Sequence, residues 1–377
     1  MIVREECRFV SKRKYKKQLD EREDMRIKLA ILENDHNYLN RIVSVFSTKY
    51  AYRLVIFSFT DLNMALETLE EAKIDVLIAD DSFDVDVSLL PKRCSFAYFV
   101  DSADINSIKN QKAICRFQKV DLIYKQVLSI YSENATNVSS VKLDDESTKI
   151  IIFSSPNGGG GTSSLAASCA THYAMQGKKT LYLNLERFGS ADTFFGAEGM
   201  FCISDIIYAL KSKKTNLSLK LESCVRRDNN GVYFYSQSKN ALDMLEMGIE
   251  DIICLISELK ITGSYDYIVI DKDFGLERES IKIFEQAHAL VWVGDGTDLS
   301  NNKILKAYNA LLIMGQNAET DLTNRLGIIY NKSSNVTEKP VCSIEMKQIG
   351  SVPFVSNINI KQMVSQLAQL DLFENII

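Results

Sequence analysis

Residues 149–164 read KIIIFSSPNGGGGTSS. The apolar run Lys149 to Ser154 suits a short buried strand. Thr162 opens an amphipathic stretch, with Leu165, Ala166, Cys169, Tyr173 and Ala174, that closes near Gly177. Strand, glycine-rich turn and helix in that order are the setting of a phosphate-binding loop. Glycines let successive backbone N–H groups turn inward towards anionic oxygens, and a helix start adds partial positive charge. Four of the chain's 17 glycines, Gly158 to Gly161, sit in this one bend. A tetraglycine alone would equally suit a flexible surface loop, so the flanking sequence has to separate the two.

Further short strands follow. Lys179 to Glu186 (KTLYLNLE) and Tyr265 to Asp273 (YDYIVIDKD) are apolar and end in acids. Ala289 to Val293 (ALVWV) leads into Gly294–Thr297, and Leu326 to Asn331 (LGIIYN) and Ile349 to Phe354 (IGSVPF) complete the series. Buried runs separated by helical stretches predict a parallel sheet covered on both faces.

All 17 glycines lie at or after Gly158 and residues 1–157 contain none, a difference in turn chemistry that predicts two folding units with the boundary in the polar stretch Ser132–Lys149. The pattern of the first unit alternates too. Ile27 to Leu32 ends at Glu33-Asn34-Asp35, and a helical face of Leu39, Ile42, Val43 and Phe46 follows. Strands are expected at Tyr52–Ser58, Asp75–Ala79, Ser95–Val100 and Cys115–Phe117, and a last helix at Asp121–Ser132. The boundaries drawn are a charged arm over 1–24, a first domain over 25–131, a polar linker over 132–148 and a second domain over 149–377. Both domains are α/β with doubly wound parallel sheets, in which ligand chemistry gathers at the carboxyl ends of the strands.

Composition removes several function classes. The net charge of -5 disfavours a nucleic-acid binder, which needs a positive excess for phosphate contacts. The apolar runs fall far short of the roughly 18 residues of a membrane span, and the start has no secretory pattern. The eight cysteines form no C-x-x-C pair and read as reduced thiols. The three histidines, His36, His172 and His288, are too scattered for a zinc site or a hydrolase triad and read as structural. The arm, basic from Arg8 to Lys17 and acidic from Asp20 to Asp24, reads as a solvated charged segment, with a basic handle for a membrane or acidic partner as the alternative.

The first domain resembles the receiver domain of response regulators. Asp80 aligns with the phosphoacceptor, Glu33 and Asn34 with the magnesium-binding acidic pair, and Lys119 with the lysine after strand five. An Asn in the pair, Val100-Asp101 after strand four and Val120 after Lys119 depart from that pattern. The resemblance therefore implies a degenerate receiver that docks proteins, with a phosphorylatable Asp80 as the alternative.

The second domain resembles the MinD/ParA-type P-loop ATPases with a deviant Walker A motif. Asn157 stands at the signature lysine, and Gly158, Gly159, Gly160 and Gly161 form the loop. Thr162 stands at the phosphate-gripping lysine, Ser163 at the Mg²⁺-binding hydroxyl, and Ser164 near the α-phosphate. Glu186 aligns with the residue that positions attacking water, Asp271 with the Walker B acid, the pair Asn331-Lys332 with an adenine-reading Asn-Arg pair, and Pro353 with the border of the base. Both lysines are missing, and Arg187 and Lys272 are candidate substitute cations.

A degenerate receiver fused to such an ATPase is similar to the TadZ/CpaE family of pilus-assembly proteins. That resemblance implies ATP and Mg²⁺ as cofactors, slow hydrolysis and a homodimer formed around ATP. It also implies docking to the secretion ATPase, membrane platform and polar factors of a tight-adherence pilus, in the cytoplasm at the cell pole. No nucleic acid is expected, and membrane contact is expected only through partners. The other readings are a receiver-controlled ATPase, a MinD-like membrane-cycling ATPase and a ParA-like DNA partitioner. The second needs a basic amphipathic C-terminal helix. Ile358 to Ile377 has the periodicity but little positive charge, so it is expected to pack on its own domain.

Overall fold

Runs of β-branched and aromatic residues form strands in both halves of the chain. The structure is a computed structural model that describes residues 26–135, 148–189, 191–213, 215–315, 321–333, 345–355 and 358–377. The charged arm, and residues 136–147 of the linker, lie outside the described residues. The chain divides into two compact units, 1–136 and 137–377.

The first unit contains β1 (Ile27–Leu32), α1 (His36–Lys49), β2 (Leu54–Phe59), α2 (Leu62–Glu71) and β3 (Val76–Asp80). It continues with β4 (Ser95–Val100), β5 (Ser107–Ile108), β6 (Gln111–Cys115) and α3 (Val120–Asn134). The strand order is β2-β1-β3-β4-β6-β5, parallel throughout except for the β5–β6 hairpin. Asp35 starts α1 by accepting hydrogen bonds from the N–H groups of Asn37 and Tyr38, and the helix then buries Leu39, Ile42 and Phe46.

Three expectations need correction here. Helices separate the strands only as far as β3. A single 3₁₀ turn (Val87–Leu89) lies between β3 and β4, and only the short strand β5 lies between β4 and β6. The sequence after β3, DSFDVDVSLLPKR, has no 3.6-residue apolar period and contains Pro91, while Lys109 and Asn110 turn the hairpin in left-handed conformations. The fifth parallel strand is Gln111–Cys115 rather than Cys115–Phe117, and α3 runs to Asn134, into the stretch read as linker.

The second unit opens with β7 (Lys149–Ser154), α4 (Thr162–Met175) and β8 (Thr180–Asn184). An insertion without a strong sequence signature follows, made of α5 (Ala191–Phe194), α6 (Ile203–Ser212), α7 (Leu217–Cys224), β9 (Arg226–Arg227), β10 (Tyr233–Phe234), α8 (Ala241–Leu245) and α9 (Ile249–Ile261). The chain then returns through β11 (Tyr267–Asp271), α10 (Arg278–Phe284), β12 (Ala289–Gly294), α11 (Asp298–Gly315), β13 (Leu326–Ser333), β14 (Lys347–Pro353) and α12 (Ile360–Leu367). The sheet order is β14-β13-β12-β7-β11-β8-β10-β9, with only β9 antiparallel.

Strand alternation divides the core between the two faces. Ile150, Ile152, Ile268, Ile270 and Trp292 pack on one side, and Ile151, Phe153, Val269, Val291 and Val293 on the other. Both faces are apolar because both carry helices, which is why these strands read as continuous hydrophobic runs.

The C-terminal segment docks on the second face. Val364, Leu367 and Phe373 are buried there, the Tyr173 hydroxyl donates to the Phe373 carbonyl at 2.9 Å, and His172 Nδ1 lies 2.8 Å from the Ala368 carbonyl. His288 Nδ1 accepts from the Ile150 N–H at 3.0 Å, so these two histidines serve the fold. Among the described residues no helix is long and apolar enough to cross a membrane.

Trp292, the chain's single tryptophan, is buried beside Phe274 and reports on this unit. Leu367→Ala is expected to lower the urea stability followed by its emission by about 2–4 kcal/mol, through lost burial and the cavity left behind. An unchanged midpoint would show that the C-terminal helix is not part of the core.

Candidate functional site

The phosphate loop is held in shape from outside. The Ser155 hydroxyl accepts from the Asn157 N–H at 3.0 Å and donates to the Val293 carbonyl at 2.6 Å, tying the loop entrance to the end of β12. Gly159 (φ +80) and Gly161 (φ +86) take left-handed conformations, which favour glycine. From the end of β13, Asn331 Nδ2 donates to the Gly160 carbonyl at 2.7 Å, and Lys332 Nζ donates to the Gly159 carbonyl at 2.9 Å. In a trans peptide the C=O and the following N–H point in opposite directions. Fixing these two carbonyls towards β13 therefore turns the N–H groups of Gly160 and Gly161 the other way. Paired amides of this kind form an anion nest. Gly161 also caps α4, whose first-turn N–H groups, those of Thr162, Ser163 and Ser164, lack helical partners of their own. A Cβ on Gly161 would meet Asn331 Nδ2 at 2.3 Å.

The acids stand at the ends of β8 and β11. Asp271 is fully buried; its Oδ2 accepts from the Tyr182 hydroxyl at 2.7 Å and from Asn184 Nδ2 at 3.1 Å. Its buried Oδ1 has no hydrogen-bond partner among the described residues, although the Ser163 hydroxyl and Glu186 stand close to the carboxyl. Asn184 Nδ2 also reaches Glu186 Oε2 at 3.3 Å, and the Ser163 hydroxyl donates to Glu186 Oε1 at 3.2 Å.

Burial, and next the Glu186 charge, push the Asp271 carboxyl up to about 8; the Tyr182 and Ser163 hydroxyls only partly offset this. Glu186 is raised as well, first by burial, with the charge of Asp273 adding to it. Two carboxylates that resist ionising, one with an orphaned oxygen, beside a helix-start hydroxyl are a donor set suited to a hard divalent cation. Magnesium typically takes one or two carboxylates and draws its other ligands from water and phosphate. Asp271 and Ser163 are the residues that would hold it.

The sequence-derived residues thus fall into place unevenly. The structure brings together Ser163, Glu186 and Asp271 at the strand ends, and Gly158–Gly161 with Asn331 at the loop. Asn331 spends its amide on the loop carbonyl, and Pro353 is exposed at the end of the edge strand, paired in register with Ser333. Of the two substitute cations expected, Lys272 Nζ lies 3.4 Å from the Asp273 carbonyl, and Arg187 lines a cavity of about 230 Å³ with Tyr235 and Lys239. The lysines the structure places at the loop are Lys332 and Lys303.

In the first unit the ends of β1, β3, β4 and β6 converge on Arg116. Its Nη1 lies 3.0 Å from Glu33 Oε2, its Nη2 pairs with Asp80 Oδ2, and its Nε is 2.7 Å from Asp101 Oδ1 in an off-angle ion pair. The side chains of Glu33, Asp80 and Arg116 are only 1%, 7% and 12% exposed. For Asp80, burial raises the carboxyl, but hydrogen bonds from Ser82 and the Arg116 charge outweigh it and hold the group below its usual range. Glu33 is raised, chiefly by burial. Asn34 donates to the Ser82 hydroxyl at 2.7 Å, and exposed Lys119 stands at the N-cap of α3. The cation on Glu33 and Asp80 is therefore Arg116, a residue the sequence reading passed over. Arg116 directly follows β6, at a strand-end position that a strand running to Phe117 conceals.

Two doubly wound units, one with a receiver-like acidic pocket and one with a P-loop NTPase fold, define the class of protein. Residues 25–132 match the model of the TadZ-like receiver domain. That match spans nearly all of the first unit and does not extend to the second. No curated protein matches it. Among solved structures it is similar to a ParA family ATPase from Chlorobium tepidum TLS, with 19% identity and a TM-score of 0.49, covering 62% of this chain and 97% of that one. It is also similar to the MinC:MinD cell division complex of Aquifex aeolicus, at 20% identity and TM-score 0.45, covering 58% and 86%. A third is the septum site-determining protein MinD with Mg-ADP from Pyrococcus horikoshii OT3, at 16% and 0.46, covering 59% and 94%.

Replacing Arg116 by Met strands two buried carboxylates and should cost about 3–5 kcal/mol at neutral pH. Asp80, with its carboxyl depressed in the fold, contributes stability above the ordinary carboxylate range that is lost as pH falls through the folded value. The Met variant instead gains when the stranded acids take up protons. Its deficit should therefore shrink between pH 7 and pH 4.5. Hydrogen exchange of β1 and β3 in the intact chain measures this, and a pH-independent deficit would contradict the ion-pair account.

Proposed function

We propose that this protein is an ATP·Mg²⁺-binding scaffold whose receiver-like unit docks partners and whose P-loop unit turns nucleotide over slowly. The observation that carries the nucleotide reading is the orphaned Oδ1 of Asp271 beside Ser163 and Glu186, next to a loop whose amides are already turned out as a nest. Gly158–Gly161 and the first turn of α4, from Thr162 to Ser164, would receive the phosphates, and Asn331 and Pro353 would border the base. Magnesium, when bound, supplies positive charge against the β/γ oxygens. Glu186, close to the buried acid, would orient a water. Thr162 stands where a lysine would neutralise charge building in the transition state. Losing such a preorganised donor typically costs about 10²- to 10³-fold in rate.

Arg116 favours docking over phosphorylation in the first unit. Asp80 is already paired with an internal cation, so a phosphoryl group would have to displace a buried ion pair. By analogy with the TadZ/CpaE family, the partners are the secretion ATPase and membrane platform of a tight-adherence pilus, and the place is the cytoplasmic pole. A homodimer closed around ATP is part of the same reading.

In calorimetry the wild-type chain should bind ATP·Mg²⁺ and Gly161→Val should not, because its Cβ meets Asn331 in a backbone that L-residues rarely adopt. ATP should raise the sedimentation coefficient. Acetyl phosphate with magnesium should leave Asp80 unlabelled, and stoichiometric labelling would favour the phosphoswitch.

A further inference from the structure

We propose that Lys303 and Lys332 supply, from outside the phosphate loop, the positive charge that the loop's two missing lysines would carry. The inference rests on the nucleotide reading above and names the cations of that same site. Lys303 lies on α11 and Lys332 at the end of β13, so the two come from different elements. Lys332 Nζ is fixed on the Gly159 carbonyl at 2.9 Å. Lys303 Nζ stands 3.5 Å from Asn157 Oδ1, while Asn157 Nδ2 faces Asp295 Oδ2 at 3.4 Å.

Buried Asn157 is therefore held between an acid and a base, with its amide oriented by both. This explains the loss of lysine at position 157. An ammonium there would face the Lys303 ammonium at close range, whereas an amide accepts from it. The charge has moved from the loop to the neighbouring helix. Asp295, whose carboxyl is held below its usual range chiefly by hydrogen bonds from Thr297 that outweigh its burial, stays ionised and keeps the Asn157 amide turned. Lys332 has a second consequence. By holding the Gly159 carbonyl it turns the next N–H into the nest, while its ammonium, on the far side of that peptide, adds positive charge behind the donor array. Both lysines are exposed, so replacing them removes little packing.

The test is calorimetric titration of the intact chain with AMPPNP·Mg²⁺ at two salt concentrations, with Trp292 emission as the check on folding. Lys303→Gln and Lys332→Gln should each weaken binding about tenfold, as for loss of one charge-assisted contact, and the double variant more. Lys→Arg replacements should stay within about threefold of wild type, and the salt dependence should fall in the Gln variants. Asn157→Lys combined with Lys303→Gln, which returns the charge to the loop, should recover binding lost in Lys303→Gln.

A double Gln variant that binds like wild type with the same salt dependence would overturn the inference and leave the nucleotide reading standing. Equal losses in the Arg and Gln variants would overturn it too, since shape rather than charge would then be at work. A wild-type chain that binds no AMPPNP would instead overturn the nucleotide reading, and this inference with it.

Discussion

A parallel sheet delivers the carboxyl ends of its strands to a single edge, and in this chain those ends carry acids. Glu33, Asp80 and Asp101 stand at or just beyond the ends of β1, β3 and β4. Asp271 and Glu186 occupy the same position in the second sheet. Buried carboxylates need a counter-charge, because desolvation penalises the ionised form far more than a few hydrogen bonds restore. How each unit meets that requirement decides what it can do.

The first unit meets it from within. Arg116 spreads one guanidinium over several carboxylates and is flanked by Tyr38 and Phe117. Such a fork matches carboxylate geometry in a way a lysine ammonium does not. The pocket thereby carries its own counter-charge. The absence of long helices between β3 and β6 alters the side of the sheet that a fully wound domain would cover.

The second unit leaves the requirement open. Tyr182 and Asn184 satisfy one oxygen of Asp271 and leave the other unpaired. Around it lie a helix start, a serine and a loop whose carbonyls are drawn to β13. A site short of positive charge and rich in N–H donors is suited to an anion that arrives with its own metal. The lysines at the rim make up part of the charge that the loop itself no longer carries.

Much of this was legible in the sequence. The tetraglycine after KIIIFS, the acid-tipped runs and the glycine boundary pointed to two α/β units, because strand–loop–helix order and strand-end acids are local signals; Ser163, Glu186 and Asp271 were singled out by the resemblance to the MinD/ParA-type motifs. The docking of Ile358–Ile377 on its own domain also followed from its scarce positive charge. Arg116, Lys303 and the contact of Lys332 with the loop did not follow, and neither did the helices between β8 and β11. A single arginine or lysine on a strand end or a helix looks the same whether it meets water or a buried acid. Its partner is brought to it by strands far away in sequence: Arg116 is 83 residues from Glu33, and Lys332 is 173 from Gly159. Periodicity reports which face of an element is buried. Which charges then meet across the sheet edge depends on strand order and register, and only the folded chain sets those.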